Sequence, residues 1–252
     1  MSRIALITGG QQGIGLGIAE ALTGAGFAVA LASEVAPDAP AVRSALERLG
    51  ANARYIQHDV QDIESAPALI DRVEAELGPI TTFASNAGVP AKVRGDMLEV
   101  GPDSFDRCMG VNLRGAFFLA QAVARRMVAQ TSQDYRSMIF TTSVNAEMVS
   151  IDRAEYAISK AGASMMARQF ALRLAPLGIG VFELRPGVIE TAMTAVVKEK
   201  YTARIADGLV PAGRWGFPSD IGSVVVPLAE GKFAFATGAA IPIDGGLSIA
   251  RI

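Results

Sequence analysis

Short apolar runs bounded by turn residues alternate along this chain with longer stretches whose apolar positions recur every three or four residues. The runs fall at 4–8, 27–32, 53–57, 81–85, 137–142, 180–184 and 239–243, and the helical patterns near 13–25, 40–49, 62–77, 103–130, 155–176 and 218–229. A strand that is apolar on nearly every position must be covered on both faces. Such strands alternating with amphipathic helices predict a parallel sheet of about seven strands between two helical layers. No Ser- or Pro-rich linker and no repeat divides the chain, and Pro37-Asp38-Ala39-Pro40 is local punctuation before a helix. The expected architecture is α/β: a single doubly wound domain over residues 1–252.

The first strand runs into Thr8-Gly9-Gly10-Gln11-Gln12-Gly13-Ile14-Gly15, which opens a helix. Glycines there permit a tight turn and let the backbone approach a pyrophosphate, while the helix start offers unpaired N–H groups to it. The spacing Gly-x3-Gly-x-Gly differs from the usual Gly-x-Gly-x-x-Gly fingerprint, and no Lys-Ser/Thr follows to make a P-loop. Its place at the first strand–helix junction points to dinucleotide binding. Further along, Tyr156 and Lys160 sit four residues apart in a helical pattern, which puts a phenol and an ammonium on one helical face. A cation beside a phenol favours the phenolate, and a phenol so placed can exchange a proton with an alcohol or carbonyl.

Composition narrows the alternatives. The chain has 252 residues, half of them hydrophobic, and a formal net charge of −2, so it can bury a large core. Its basic residues are scattered, which argues against a nucleic-acid or anionic-membrane partner. One cysteine, Cys108, excludes an internal disulfide and reads as a small core residue; the single histidine, His58, reads as a polar residue at a strand end. With one histidine there is no His-rich metal site and no Ser-His-Asp triad, so no metal is expected. No apolar run approaches about 18 residues and no basic segment precedes the first strand, so neither a membrane span nor a signal peptide is expected. A soluble, cytoplasmic protein follows.

These motifs together resemble the short-chain dehydrogenase/reductase family, over essentially the whole chain. Thr8-Gly9 through Gly13-x-Gly15, with Gln11, Gln12 and Ile14 inside it, is similar to the family's cofactor loop, and Asp59-Val60 to the pair that meets the adenine. Asn86-Ala87-Gly88 resembles its Asn-Ala-Gly turn beneath the cofactor, and Asn112 its helical Asn. Ser143, Tyr156 and Lys160 match the catalytic Ser and Tyr-x-x-x-Lys, and Pro186, Gly187, Ile189 and Thr191 the segment that holds the nicotinamide end. Ser85 departs from the pattern where many members carry another Asn. The three-residue gap between Tyr156 and Lys160 resembles the dehydrogenase/ketoreductase branch rather than the enoyl reductases, and the chain is too short for the extended epimerase branch.

The resemblance implies a Rossmann-type fold and hydride transfer between a nicotinamide and a secondary alcohol or ketone. Tyr156 would act as general acid or base, Lys160 would tune it and hold the nicotinamide ribose, and Ser143 would donate to the substrate oxygen. Asn112 would hold a proton-relay water. At the end of the second strand, Ser33 and Glu34 face the adenosine ribose; the neutral Gln12 and acidic Glu34 favour NAD over the 2′-phosphate of NADP, which remains an alternative. Asn145, Met148 and Met193 are expected to line the substrate pocket, with Val149, Val93, Val196, Val197 and Tyr201 around it. Glu147, Lys92 and Arg94 read mainly as solvated loop charges, although Glu147 could meet substrate hydroxyls and the two cations an acidic group. Residues 188–212 read as a short helical lid. The resemblance also implies a homo-oligomer, commonly a tetramer. Helices near 103–130 and 155–176 would pack across a two-fold axis, with Ala161, Gly162, Ala163 and Ser164 permitting close approach, though these equally suit packing within one subunit. In the apolar tail, Ile249 and Ile252 invite burial by a partner. The leading substrate class is a small-molecule alcohol, polyol or diketone. The alternatives are a 3-oxoacyl thioester and, remotely, a dinucleotide-binding sensor without catalysis.

Overall fold

Each expected apolar run forms a strand, and the seven strands hydrogen-bond side by side, all parallel. The computed structural model describes residues 3–132 and 134–251. In chain order the strands are β1 (Arg3–Thr8), β2 (Phe27–Ser33), β3 (Ala53–Gln57), β4 (Ile80–Ser85), β5 (Arg136–Thr141), β6 (Ile179–Pro186) and β7 (Ala240–Ile243). Their spatial order is β3-β2-β1-β4-β5-β6-β7. The chain therefore winds outward from β1 to one edge, returns, and winds from β4 to the other. A crevice opens at such a reversal, beyond the carboxyl ends of the strands.

Helices α1 (Gly13–Gly24), α2 (Pro40–Leu49) and α8 (Pro218–Ala229) cover one face; α3 (Ala66–Leu77), α5 (Ala116–Ala129) and α6 (Ala154–Leu174) cover the other. The two cores separate cleanly by strand periodicity. Ile4 and Leu6 pack with α3 and α5, whereas Ala5 and Ile7 pack with α1 and α8. A further helix, α7 (Lys198–Ala206), lies in the stretch after β6.

The continuous helical pattern of 103–130 is not one helix. Helix α4 (Pro102–Met109) passes through a widened π turn, Gly110–Gly115, before α5 begins. Such turns hold an extra residue and recur at functional sites. Of the small residues Ala161 to Ser164, Ala161 is exposed and the other three pack within the subunit. A Cβ on Gly162 would stand 2.9 Å from Leu113, and Ala163 and Ser164 are buried. Cys108 is buried, its thiol 3.6 Å from the Pro90 carbonyl, and burial pushes that thiol up from its ordinary value. His58 is also buried, shares a hydrogen bond with Ser65 at 3.2 Å, and is pushed down by burial. In the tail Ile249 is exposed, while Ile252 lies outside the described residues. No helix among the described residues is long and apolar enough to cross a membrane.

Candidate active site

Two cavities meet in the crevice. The larger, about 410 Å³, runs from Glu34 and Asp59 past the glycine-rich turn to Thr141 and Lys160. The smaller, about 260 Å³, is walled by Ser143, Asn145, Met148, Pro186 and Gly187. Five side chains belong to both: Ile14, Thr142, Tyr156, Thr191 and Met193.

The turn after β1 owes its shape to two glycines. Gly9 takes a φ of +65°, which a side chain would strain, and a Cβ on Gly15 would stand 2.1 Å from the Gly9 carbonyl oxygen. The turn is tied to the end of β4. Thr8 Oγ1 accepts the backbone N–H groups of Asn86 and Ala87, both at 2.9 Å, and Asn86 Nδ2 donates to the Thr8 carbonyl at 3.0 Å. Thr8 and Gly15 thus support the larger cavity without lining it, while Gly9, Gln11, Gln12, Gly13, Ile14, Asn86, Ala87 and Gly88 form its wall. No side chain caps α1, which leaves its first-turn N–H groups available to an anion. A glycine turn at an uncapped helix start, opening on a cavity that reaches from Glu34 to Lys160, fits a dinucleotide.

The helical spacing of Tyr156 and Lys160 is realised as a stacked pair at the start of α6. Lys160 Nζ lies 5.8 Å from the centroid of the Tyr156 ring and donates to the Thr141 carbonyl at 3.1 Å. Lys160 lines only the larger cavity, Ser143 only the smaller, and Tyr156 lines both. Ser143 continues from β5 in extended backbone and accepts the Asn145 N–H at 3.1 Å. As an acceptor there, its hydroxyl keeps a proton to donate.

Asn112 sits in the π turn, outside both cavities. Its Oδ1 accepts the Val89 N–H at 2.8 Å, and its Nδ2 donates to the Val89 carbonyl and to Ser159 Oγ, both at 3.0 Å. Ser159 Oγ in turn donates to the Tyr156 carbonyl at 2.7 Å. The amide therefore brackets the loop after β4 against α6, and only one lone pair on Oδ1 is left for a water.

Other expected residues divide. Asp59, Val60 and Glu34 line the larger cavity; Ile189 lines the smaller. Ser33 lines neither, because its hydroxyl bonds to Tyr55 at 2.8 Å beneath the surface. Val149 and Tyr201 line the smaller cavity, while Val93, Val196 and Val197 do not. Glu147 is exposed, as a loop charge should be, lies outside both cavities, and pairs with Arg185 Nη1 at 2.5 Å. Arg185 in turn chelates Glu183, from Nε at 2.8 Å and Nη2 at 3.1 Å. Glu183 also accepts from Thr142 at 2.7 Å and Ser164 at 2.9 Å. Burial alone would raise the Glu183 carboxyl; the bonds from Arg185, Thr142 and Ser164 outweigh it and hold the group below its ordinary value.

Several wall residues escaped sequence reasoning, among them Gln61, Arg107, Thr142, Arg153 and Arg204. Arg94, read as a loop charge, also lines the smaller cavity, and Lys92 does not. The one signal that could have found Arg153 is its position three residues before Tyr156. Among the described residues, no group of three or more His, Cys, Asp or Glu side chains is placed to hold a metal ion.

A family model described as enoyl-(acyl carrier protein) reductase matches residues 9–248. The 3-oxoacyl-(acyl-carrier-protein) reductase MabA of Mycobacterium tuberculosis is 33% identical over 256 residues, covering 99% of this chain and 94% of that protein. A crystal structure of a 3-oxoacyl-(acyl-carrier protein) reductase from Brucella melitensis in complex with NAD superposes with a TM-score of 0.95 at 44% identity, covering 100% and 99% of the two chains. A putative 2-deoxy-d-gluconate 3-dehydrogenase from Agrobacterium tumefaciens with bound NADP superposes with a TM-score of 0.85 at 30% identity, covering 97% and 96%.

Proposed function

We propose that this chain, which belongs to the short-chain dehydrogenase/reductase family and is an NAD(P)-dependent oxidoreductase of CH–OH and C=O groups, uses Tyr156 for proton transfer and prefers NAD. Tyr156 stands on the wall common to both cavities, with Lys160 on one side and Ser143 on the other, and that position carries the assignment. When bound, the nicotinamide supplies the hydride donor or acceptor. Gly9, Gly13 and the α1 N-terminus would hold the pyrophosphate, Asp59 and Val60 the adenine, and Lys160 the nicotinamide ribose. Pro186, Gly187 and Thr191 would hold the nicotinamide end. Tyr156 gives its phenolic proton to a carbonyl oxygen in reduction and takes it back from the carbinol in oxidation. Ser143 steadies that oxygen with a hydrogen bond as charge develops. Asn112 keeps the loop after β4 and the start of α6 in register, which fixes where the phenol points.

The nucleotide preference rests on charge. Glu34 lines the end of the larger cavity near β2, and the cations on its wall, Lys160 and Arg107, are tied to the Thr141 and Pro90 carbonyls away from that end. A 2′-phosphate there would meet a carboxylate without compensation. Support for a homotetramer is an exposed apolar row on α5 and α6 that includes Phe117, Phe118, Met165 and Leu172. The segment 188–212 acts as the lid in this reading, and the protein works in the cytoplasm. A second reading, reduction of a 3-oxoacyl thioester, is favoured by the names of the Brucella and Mycobacterium relatives; the three-residue gap between Tyr156 and Lys160 separates both readings from enoyl reduction. Tyr156→Phe should lower kcat on any ketone substrate by about 10²–10⁴ while NADH still binds, measured by fluorescence titration. Wild-type turnover in that variant would remove Tyr156 from the chemistry.

A further inference from the structure

Resting on the dehydrogenase reading above, we propose that the natural substrate is an oxo or hydroxy acid whose carboxylate is bound by Arg153. The smaller cavity is lined by three arginines, Arg94, Arg153 and Arg204, and by no Asp or Glu. They come from three separate segments: the loop after β4, the entrance to α6, and α7. Three unrelated stretches of chain thus bring positive charge to one small chamber.

The neighbouring carboxylates do not neutralise it. Asp152 is the nearest acid to Arg94, at 3.8 Å, and it already accepts from Ser150 at 2.6 Å. The Ser150 bond chiefly, and then the charges of Arg94, Arg153 and Lys200, hold the Asp152 carboxyl below its ordinary value, so this one carboxylate is shared among several cations. Glu147 is turned to Arg185, and the buried Glu155 accepts from Ser104 at 2.5 Å. Arg153 has no carboxylate within 4.0 Å among the described residues; its Nε is held by Ser150 Oγ at 3.1 Å, which leaves the two terminal nitrogens to bind. The chamber wall therefore carries Arg94, Arg153 and Arg204 with no carboxylate among them.

Position distinguishes this charge from a surface patch for a carrier protein. The Arg153 guanidinium carbon lies 5.5 Å from the centroid of the Tyr156 ring, and the side chain is half-buried. A group gripped there is a few bonds from a carbon whose oxygen meets the phenol. A planar guanidinium offers two parallel N–H groups, which match a carboxylate. In a thioester the carbonyl end at that distance is neutral, and the charges of its carrier lie far along the chain.

The test uses the full-length enzyme with NADH and NADPH on oxo acids whose ketone lies one to four carbons from the carboxylate. Each is paired with its methyl ester, and acetoacetyl-CoA is included. At least one acid should exceed its ester in kcat/KM by about tenfold or more, the worth of a charge-assisted hydrogen bond. Arg153→Gln should cut that acid-to-ester preference at least about tenfold, chiefly through KM of the acid, with Arg153→Lys restoring part of it. Lys92→Gln, on the exposed loop outside the cavity, should leave the preference as it is. If esters or the thioester are turned over and the acids are refused, or if Arg153→Gln slows acid and ester alike, the carboxylate assignment falls and the dehydrogenase reading stands. If no member is turned over with either nucleotide, both fall.

Discussion

The two cavities are built by different means. The larger is walled by strand ends and a helix start that are bonded to one another, as when the Gly9 N–H donates to the Ala32 carbonyl at 2.7 Å and Thr8 Oγ1 accepts two N–H groups from the turn after β4. The smaller is walled mostly by side chains from the loop after β5, the loop after β4 and the segment around α7. Backbone-built walls suit a partner that does not change; side chains on loops can alter without disturbing the sheet. In the proposed reading, general chemistry belongs to this frame and substrate choice to the frame's edge.

The sharpest way to break this contrast is Gly15→Ala. The new Cβ would meet the Gly9 carbonyl oxygen at 2.1 Å and Asn86 Nδ2 at 2.6 Å, and the first of these, a backbone atom, cannot swing aside. NADH affinity should fall by on the order of 100-fold or more, with a loss of stability of roughly 1–3 kcal/mol from overpacking. A variant that binds NADH normally would show that the frame of the larger cavity is softer than its bonding suggests.

A smaller effect is expected from Glu183→Gln, which tests the layer beneath both cavities. Removing one charge from the buried Glu183–Arg185 pair should cost roughly 3 kcal/mol at neutral pH, on the order of 6–12 °C in Tm. The folded Glu183 carboxyl is held below its unfolded value, so its contribution is present above the ordinary carboxylate range and is lost as pH falls through the lowered folded value. The Tm gap between wild type and variant should therefore narrow on acidification. A gap that stays constant from neutral to acid pH would show that Glu183 contributes through packing alone.

The smallest change sharpens the nucleotide end. Glu34→Gln removes one exposed charge and should raise the NADPH-to-NADH ratio of kcat/KM on the order of fivefold. An unchanged ratio would mean that Glu34 does not face the 2′ position.

What could be read in the sequence follows the same division. Apolar runs declare strands because a doubly covered sheet tolerates little else, so the β1–β7 set and its parallel class were legible. The glycine turn and the Tyr156–Lys160 pair were legible because both are local spacings. The π turn was not, since the apolar rhythm continues through 103–130 and one extra residue per turn leaves no local mark. Arg153 and Arg204 were hidden for another reason. Only the folded chain brings Arg204 of α7 and Arg153 at the entrance to α6 to one cavity wall, and a lone arginine reads as solvated until that happens. The same long-range placement turned Glu147 toward Arg185 and Ser33 toward Tyr55.

Ile14, Thr142, Tyr156, Thr191 and Met193 separate the two chambers by the thickness of single side chains. A ligand made of two weak heads, one for each chamber, would need only a short tether across that partition. Once one head is seated, the second meets its chamber at the high effective concentration set by the tether rather than at that of the bulk solution. The shared partition therefore makes this enzyme a candidate for two-headed inhibitors, with selectivity drawn from the arginine-lined chamber and affinity from both.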